Sequence, residues 1–151
     1  MIEQQIEQDV KSALLAGDAL RVSTLRGLKS VLLYAKVATG KRATGLENDE
    51  VITLLAKEAK KRQESADMYV QGDRPDSAQK ELSEKAIIEA YLPPPLSEAE
   101  IVAAIDAVVA TSGATGLAGM GQVIGAVKQR LGAGADGSII AKIVKERLQQ
   151  K

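Results

Sequence analysis

The sequence predicts an all-α protein, with an N-terminal helical domain of about four helices followed by a small C-terminal three-helix bundle. Three observations predict it. Apolar residues recur at three- and four-residue spacing along nearly the whole chain, and strand-type alternation is almost absent. Hydrophobic residues make up 45% of the 151 residues but aromatics only 2%, so the core is aliphatic and alanine-rich, which favours closely packed helices. A triple proline at Pro93–Pro95 denies the backbone donors that a helix needs and marks a junction.

The first helix carries Ile2, Ile6, Val10, Ala13 and Leu14 on one stripe, and Gly17 with Asp18 supplies a stop and a new cap. The second runs from about Ala19 to Ala38. Its apolar residues, from Leu20 through Leu33, go most of the way round and predict contact on more than one side. A loop, TGKRATG, follows. The third helix starts near Glu47 or Asn48 and places Val51, Leu55, Ala59 and Ala66 on a common face, reaching Val70. Gly72 and Pro75 break it, and Pro75 suits the first turn of a fourth helix through Leu92.

These elements predict a domain over 1–92, a proline-rich junction at 93–96 and a second domain over 97–151. The fifth helix opens on a capping box, Ser97 with Glu100, and Leu96 and Ile101 form a hydrophobic staple. Met120, Val123, Ile124, Val127 and Leu131 form the stripe of the sixth helix. Ile139, Ile140, Ile143, Val144 and Leu148 form that of the seventh.

GAGADG, from Gly132 to Gly137, fits the spacing G-x-G-x-x-G, yet a dinucleotide fingerprint needs a preceding strand and an acidic ribose ligand about 20 residues on. The residues before Gly132 read as helix, and 14 residues follow Gly137. Gly132 is therefore read as a left-handed helix terminator and Asp136 as the cap of the seventh helix. Gly121 and Gly125 lie four residues apart on one face of the sixth helix. The expected reason is a tightly packed neighbouring helix, with close approach of a ligand or nucleic-acid backbone as the alternative.

Lys plus Arg equals Asp plus Glu at 20 each, which moves the electrostatic question to local clusters. No acid occurs from Ala19 to Leu46, where Arg21, Arg26, Lys29, Lys36, Lys41 and Arg42 stand. The third helix adds Lys57 and Lys61 one turn apart, with Glu58 placed to pair with Arg62. Residues 117–151 hold six bases (Lys128, Arg130, Lys142, Lys145, Arg147 and Lys151) and two acids, a local charge of +4. Such clusters grip phosphates, or else are solvated helix faces. With three aromatics, stacking on single strands fits poorly, and a folded RNA read by backbone and shape fits better; no DNA is expected.

The chain has neither cysteine nor histidine. That removes Ser-His and Cys-His nucleophilic arrangements and the commonest zinc ligand sets. Glu47, Asp49 and Glu50 sit at a helix start, where capping explains them, so no metal ligand, cofactor or catalytic residue is assigned. The acidic N-terminus and the lack of a long apolar run predict a cytoplasmic protein with no membrane partner.

The segments LRVSTLRGLKS, KEAKKRQESADMY, EAYLPPPLSEAEI, MGQVIGAVKQRL and ADGSIIAKIVKERL, in this order and spacing, resemble the GatB/YqeY family over essentially the whole chain. The part from about Leu96 onward is similar to the tail domain of the B subunit of the tRNA-dependent amidotransferase, a tail that contacts tRNA away from the catalytic centre. The resemblance implies a non-catalytic adaptor that engages tRNA, or a tRNA-aminoacylation or amidation complex, through its basic tail. It makes Lys128, Lys142 and Lys145 candidates for phosphate contact, with Arg130 beside them and Gly121 and Gly125 permitting close approach. Arg26, Lys29, Lys57 and Lys61 extend the candidate nucleic-acid-binding set. Two alternatives stay open: an amidotransferase-like carbon–nitrogen ligase using glutamine as amide donor, or an accessory subunit of one; and a protein-interaction module without RNA binding. The chain departs from the family pattern at Gln122, where a lysine is common, at Gly119, where an acid is common, and in its neutral GAGA run, where a base is common.

Overall fold

A computed structural model describes residues 1–132 and 135–149. Ala133 and Gly134 of the GAGADG run, and Lys151 of the basic tail, lie outside the described residues. The described residues form seven α-helices and one short 3₁₀ turn, with no strand among them: α1 (Ile2–Ala16), α2 (Ala19–Ala38), α3 (Asn48–Gln71), α4 (Pro75–Glu89), α5 (Glu98–Ser112), α6 (Met120–Leu131, preceded by the 3₁₀ turn Leu117–Gly119) and α7 (Gly137–Gln149). The fold is all-α. The chain separates into two compact units, Met1–Leu92 and Pro93–Lys151. No single helix among the described residues is long and apolar enough to cross a membrane.

In the first unit α1 ends where Gly17 turns left-handed, at φ 71°, and the Asp18 carboxylate accepts from the Arg21 N–H at 3.1 Å to start α2. The core joins Ile6 and Val10 of α1 to Leu25, Leu28 and Leu32 of α2, Val51 and Leu55 of α3 and Ile88 of α4. Each fully buried Leu or Ile contributes about 1.5–3 kcal/mol relative to exposure. Leu46 joins them at 3% exposure, a loop residue that helical periodicity could not flag.

Helices α3 and α4 form a long hairpin whose apolar interior, Ala59, Ala66 and Ala78, is small enough for close approach. Charge takes over where large apolar residues are missing. Arg62 reaches Glu84 at 2.9 Å, Glu58 at 3.4 Å and Glu81 at 3.8 Å, and Lys85 donates to Gln63 at 2.8 Å. Glu58 is buried, yet both its oxygens are engaged, by Arg62 and by Lys61 at 3.0 Å.

The fourth helix stops at Glu89, three residues short of the predicted Leu92. Pro93 disfavours helical backbone at Leu92, and the chain leaves through short-range bonds, from the Tyr91 N–H to Ile88 and from the Leu92 N–H to Glu89. Val70 is 65% exposed, so the apolar face of α3 closes before its end.

The second helix departs from expectation on its outer side. Its inner residues meet α1, α3 and α4, but Leu33, Tyr34 and Val37 are 51%, 83% and 59% exposed. Apolar residues most of the way round a helix therefore do not mean that the chain itself covers every side.

In the second unit, the Ser97 hydroxyl accepts from the Glu100 N–H at 3.2 Å and the Glu100 carboxylate from the Ser97 N–H at 2.8 Å, completing the capping box. The core gathers Ile101, Ile105, Val108 and Val109 of α5, Val123 and Val127 of α6, and Ile140, Ile143, Val144 and Leu148 of α7, with Leu96 packed against it. Ile139 falls outside the core at 44% exposure.

Candidate cationic surface

Gly132 takes positive φ, 69°, but its ψ of −155° is extended, so α6 does not end in the left-handed helical cap expected. The Asp136 carboxylate accepts from the Ser138 N–H at 2.8 Å and caps α7. The glycines on either side of this segment serve helix ends.

The core of α6 is Val123 and Val127, which places Gly121, Gly125 and Lys128 on the opposite, outward face of the helix. A Cβ at Gly121 or Gly125 would meet nothing within 4 Å. This corrects the expected neighbouring helix: the second unit packs on the valine side of α6, and the two glycines leave bare helix backbone facing outward. On α7, Ile140, Ile143, Val144 and Leu148 face the core and Lys142 and Lys145 project from the opposite side, about 60° apart around the axis.

Lys128 links the two helices. A Cβ at Gly137, the first residue of α7, would stand 3.2 Å from Lys128 Nζ, so this side chain reaches from α6 to the start of α7. Gly137 is therefore a site of close approach, where a larger residue would displace the ammonium. Arg130 is two residues from Lys128, about 160° away around the helix, and does not join the same face. Arg147 is used internally, held by Asp106 at 3.3 Å. Among the described residues Lys128, Arg130, Lys142 and Lys145 meet no carboxylate.

The basic cluster of the first unit has a different fate. Arg21 meets Asp9 at 3.9 Å, Lys29 meets Glu7 at 3.9 Å, Lys36 pairs with Glu3, and Lys41 meets Glu50 at 2.5 Å. Four of the six bases in the acid-free stretch of sequence thus meet acids from α1 and the start of α3. Lys61 is held by Glu58, whereas Arg26, Arg42, Lys57 and Lys60 are among the cations without an ion pair in the described residues. Arg26 and Lys29 do not act together, because Lys29 turns to α1 while Arg26 lies on the uncovered side of α2.

Two groups have shifted acidities, and both have structural partners. Burial and the hydrogen bond to Asp9 raise the Tyr91 hydroxyl well above its ordinary 10.0. The Lys41 ammonium, with the Glu47 N–H, lowers the Glu50 carboxyl from its ordinary 4.5. Every buried side-chain nitrogen or oxygen among the described residues has a hydrogen-bond partner.

Fold and surface together define a class: a small, all-α protein of two compact units whose second unit exposes lysines on α7 and a glycine-bearing outward face on α6. The chain belongs to the YqeY-like protein family, whose profile matches residues 3–148. It is similar to "Altered inheritance of mitochondria protein 41, mitochondrial" of Lachancea thermotolerans, at 35% identity over 103 residues. It is also similar to the protein of that name in Eremothecium gossypii, at 31% identity over 100 residues. Each match takes in 66% of this chain and 54% of the relative, so the chain spans about half the length of the curated relatives it matches.

The two relatives correct one expectation. Both carry the designation mitochondrial, which conflicts with a purely cytoplasmic location for this family's helical body. Compartment is set by addressing segments that stand apart from the fold, and a helical body of balanced charge suits more than one compartment.

Proposed function

We propose that this protein is a non-catalytic adaptor that binds folded RNA of the tRNA type, alone or within a tRNA-handling complex, through its second unit. Lys128, Lys142 and Lys145 contact phosphates, and the outward face of α6 at Gly121 and Gly125 lets the nucleic-acid backbone approach the helix. The two compact units are in this reading separate domains, 1–92 and 97–151, joined by the proline-rich 93–96. Arg130 adds charge at the end of α6. Lys57 is an auxiliary contact from the first unit.

The observation that carries the reading is the outward face of α6, where two helical glycines meet open space beside a lysine that no carboxylate among the described residues engages. Mid-helix Gly125 costs about 0.5–1 kcal/mol relative to alanine, and no contact among the described residues of the second unit requires a glycine there or at Gly121 in the first turn. An incoming ligand backbone does. The resemblance to an amidotransferase tail that contacts tRNA points the same way.

The test is a fluorescence anisotropy titration against a folded tRNA at several salt concentrations. Affinity should fall steeply with salt, and reversing Lys128, Lys142 and Lys145 to Glu should reduce the slope of log K against log salt by roughly 2–3. Binding that ignores salt, or that survives the triple reversal, removes the RNA reading and leaves a protein-interaction module.

A further inference from the structure

The uncovered side of α2 has an internal pattern. Its first half presents small residues, Ser23, Gly27 and Ser30, and its second half presents large apolar ones, Leu33, Tyr34 and Val37. All six fall on one face by three- and four-residue spacing. A Cβ at Gly27 would meet nothing within 4 Å, so nothing among the described residues explains a glycine in mid-helix. The Ser30 hydroxyl donates back to the Arg26 carbonyl at 3.2 Å, so covering Ser30 would strand no polar group.

We infer that this face is a self-association surface, on which α2 of a second copy of the chain packs antiparallel about a two-fold axis at Ser30. The register follows from the pattern. Centred there, Leu33 of the second copy lies over Gly27, Tyr34 over Arg26, and Val37 over Ser23, so that each large residue meets a small one or a cation. An aromatic face beneath a guanidinium is a favourable electrostatic pairing, and Arg26 has no carboxylate partner among the described residues. An isologous contact makes each such pair twice.

At Ser23 and Arg26 the face opens into a groove of about 550 Å³ at the α1–α2 turn, also lined by Leu14, Gly17, Asp18 and Val22. Val37 of the second copy enters at its edge. The loop after α2 then brings Arg42 toward Asp18, and neither is ion-paired among the described residues. Shape and charge are complementary under the same two-fold. The surface belongs wholly to the first unit and does not depend on the RNA reading.

The chain has no cysteine, so a single introduced thiol reports cleanly. In full-length Ser30→Cys the two thiols face each other across the axis. Under mild oxidation it should form a disulfide-linked dimer about tenfold faster than Glu64→Cys, an exposed position on α3, because pairing raises the effective thiol concentration. A contact of one helix face and a groove is of the small, transient class, so wild-type sedimentation is followed over roughly 10–200 µM, where the mass should rise from 15.9 kDa toward twice that value. Leu33→Asp should stay monomeric with unchanged helical circular dichroism. A wild-type chain that stays monomeric throughout, or Ser30→Cys cross-linking no faster than Glu64→Cys, overturns the inference; if Leu33→Asp unfolds, the thiol comparison still decides.

Discussion

Asp9 shows how one side chain ties three elements together. Its carboxylate accepts from the Tyr91 hydroxyl beyond α4 and from Gln5 at 2.9 Å, with Arg21 of α2 at 3.9 Å. Burial and Asp9 both favour the protonated phenol, so Tyr91 releases its proton less readily folded than unfolded. Its contribution is complete below the unfolded value near 10 and is lost as pH rises beyond it toward the raised folded value. Tyr91→Phe should cost about 1.5 kcal/mol in urea unfolding at pH 7 and flatten the loss of stability above pH 10. Glu50 has the opposite sign. Held by Lys41, its contribution is present above about 4.5 and disappears as pH falls, so Glu50→Gln should reduce the acid sensitivity of the first unit's unfolding. The caps were legible because a cap needs a residue type at a fixed local spacing, as with Asp18, Ser97 and Asp136. The partners of Arg21, Lys29, Lys36 and Lys41 were not, since each acid comes from a different helix.

Among the helices, local signals placed most boundaries and missed where tertiary contacts decide. Gly17, the Glu47–Glu50 pair, Pro75 and the Ser97 box punctuate the chain where the helices begin or end. The residue before Pro93 ended α4 early for a steric reason that apolar periodicity does not contain. The α3–α4 hairpin depends on side-chain size: Ala66 is 2% exposed and Ala78 4%. Ala66→Leu should push the helices apart, strain the Arg62 network beside it and destabilise the chain by about 1–3 kcal/mol in denaturant unfolding. In the second unit, Ser97→Ala removes the hydroxyl that satisfies the Glu100 N–H and should cost about 1 kcal/mol.

At the scale of the molecule, the candidate cationic set divides. Lys142 and Lys145 are outward on α7 and Lys128 bridges to it from α6, while Arg130 points elsewhere and, of the first-unit candidates, Lys29 and Lys61 are matched by acids. On the proposed RNA reading, charge reversal confined to Lys29 and Lys61 should therefore change affinity little, whereas the Lys128, Lys142 and Lys145 reversal should weaken it at every salt concentration, both read by the same titration. By itself the sequence determined the all-helical class, most helix boundaries, the two apolar cores and the lack of cysteine and histidine, because these follow from residue type and from spacing within one helix. Tertiary structure alone decided which cations stay unmatched, that the α6 glycines face open space and that one side of α2 is left uncovered. Those depend on what stands across from a residue in three dimensions, and the distance along the chain between such neighbours carries no local signal.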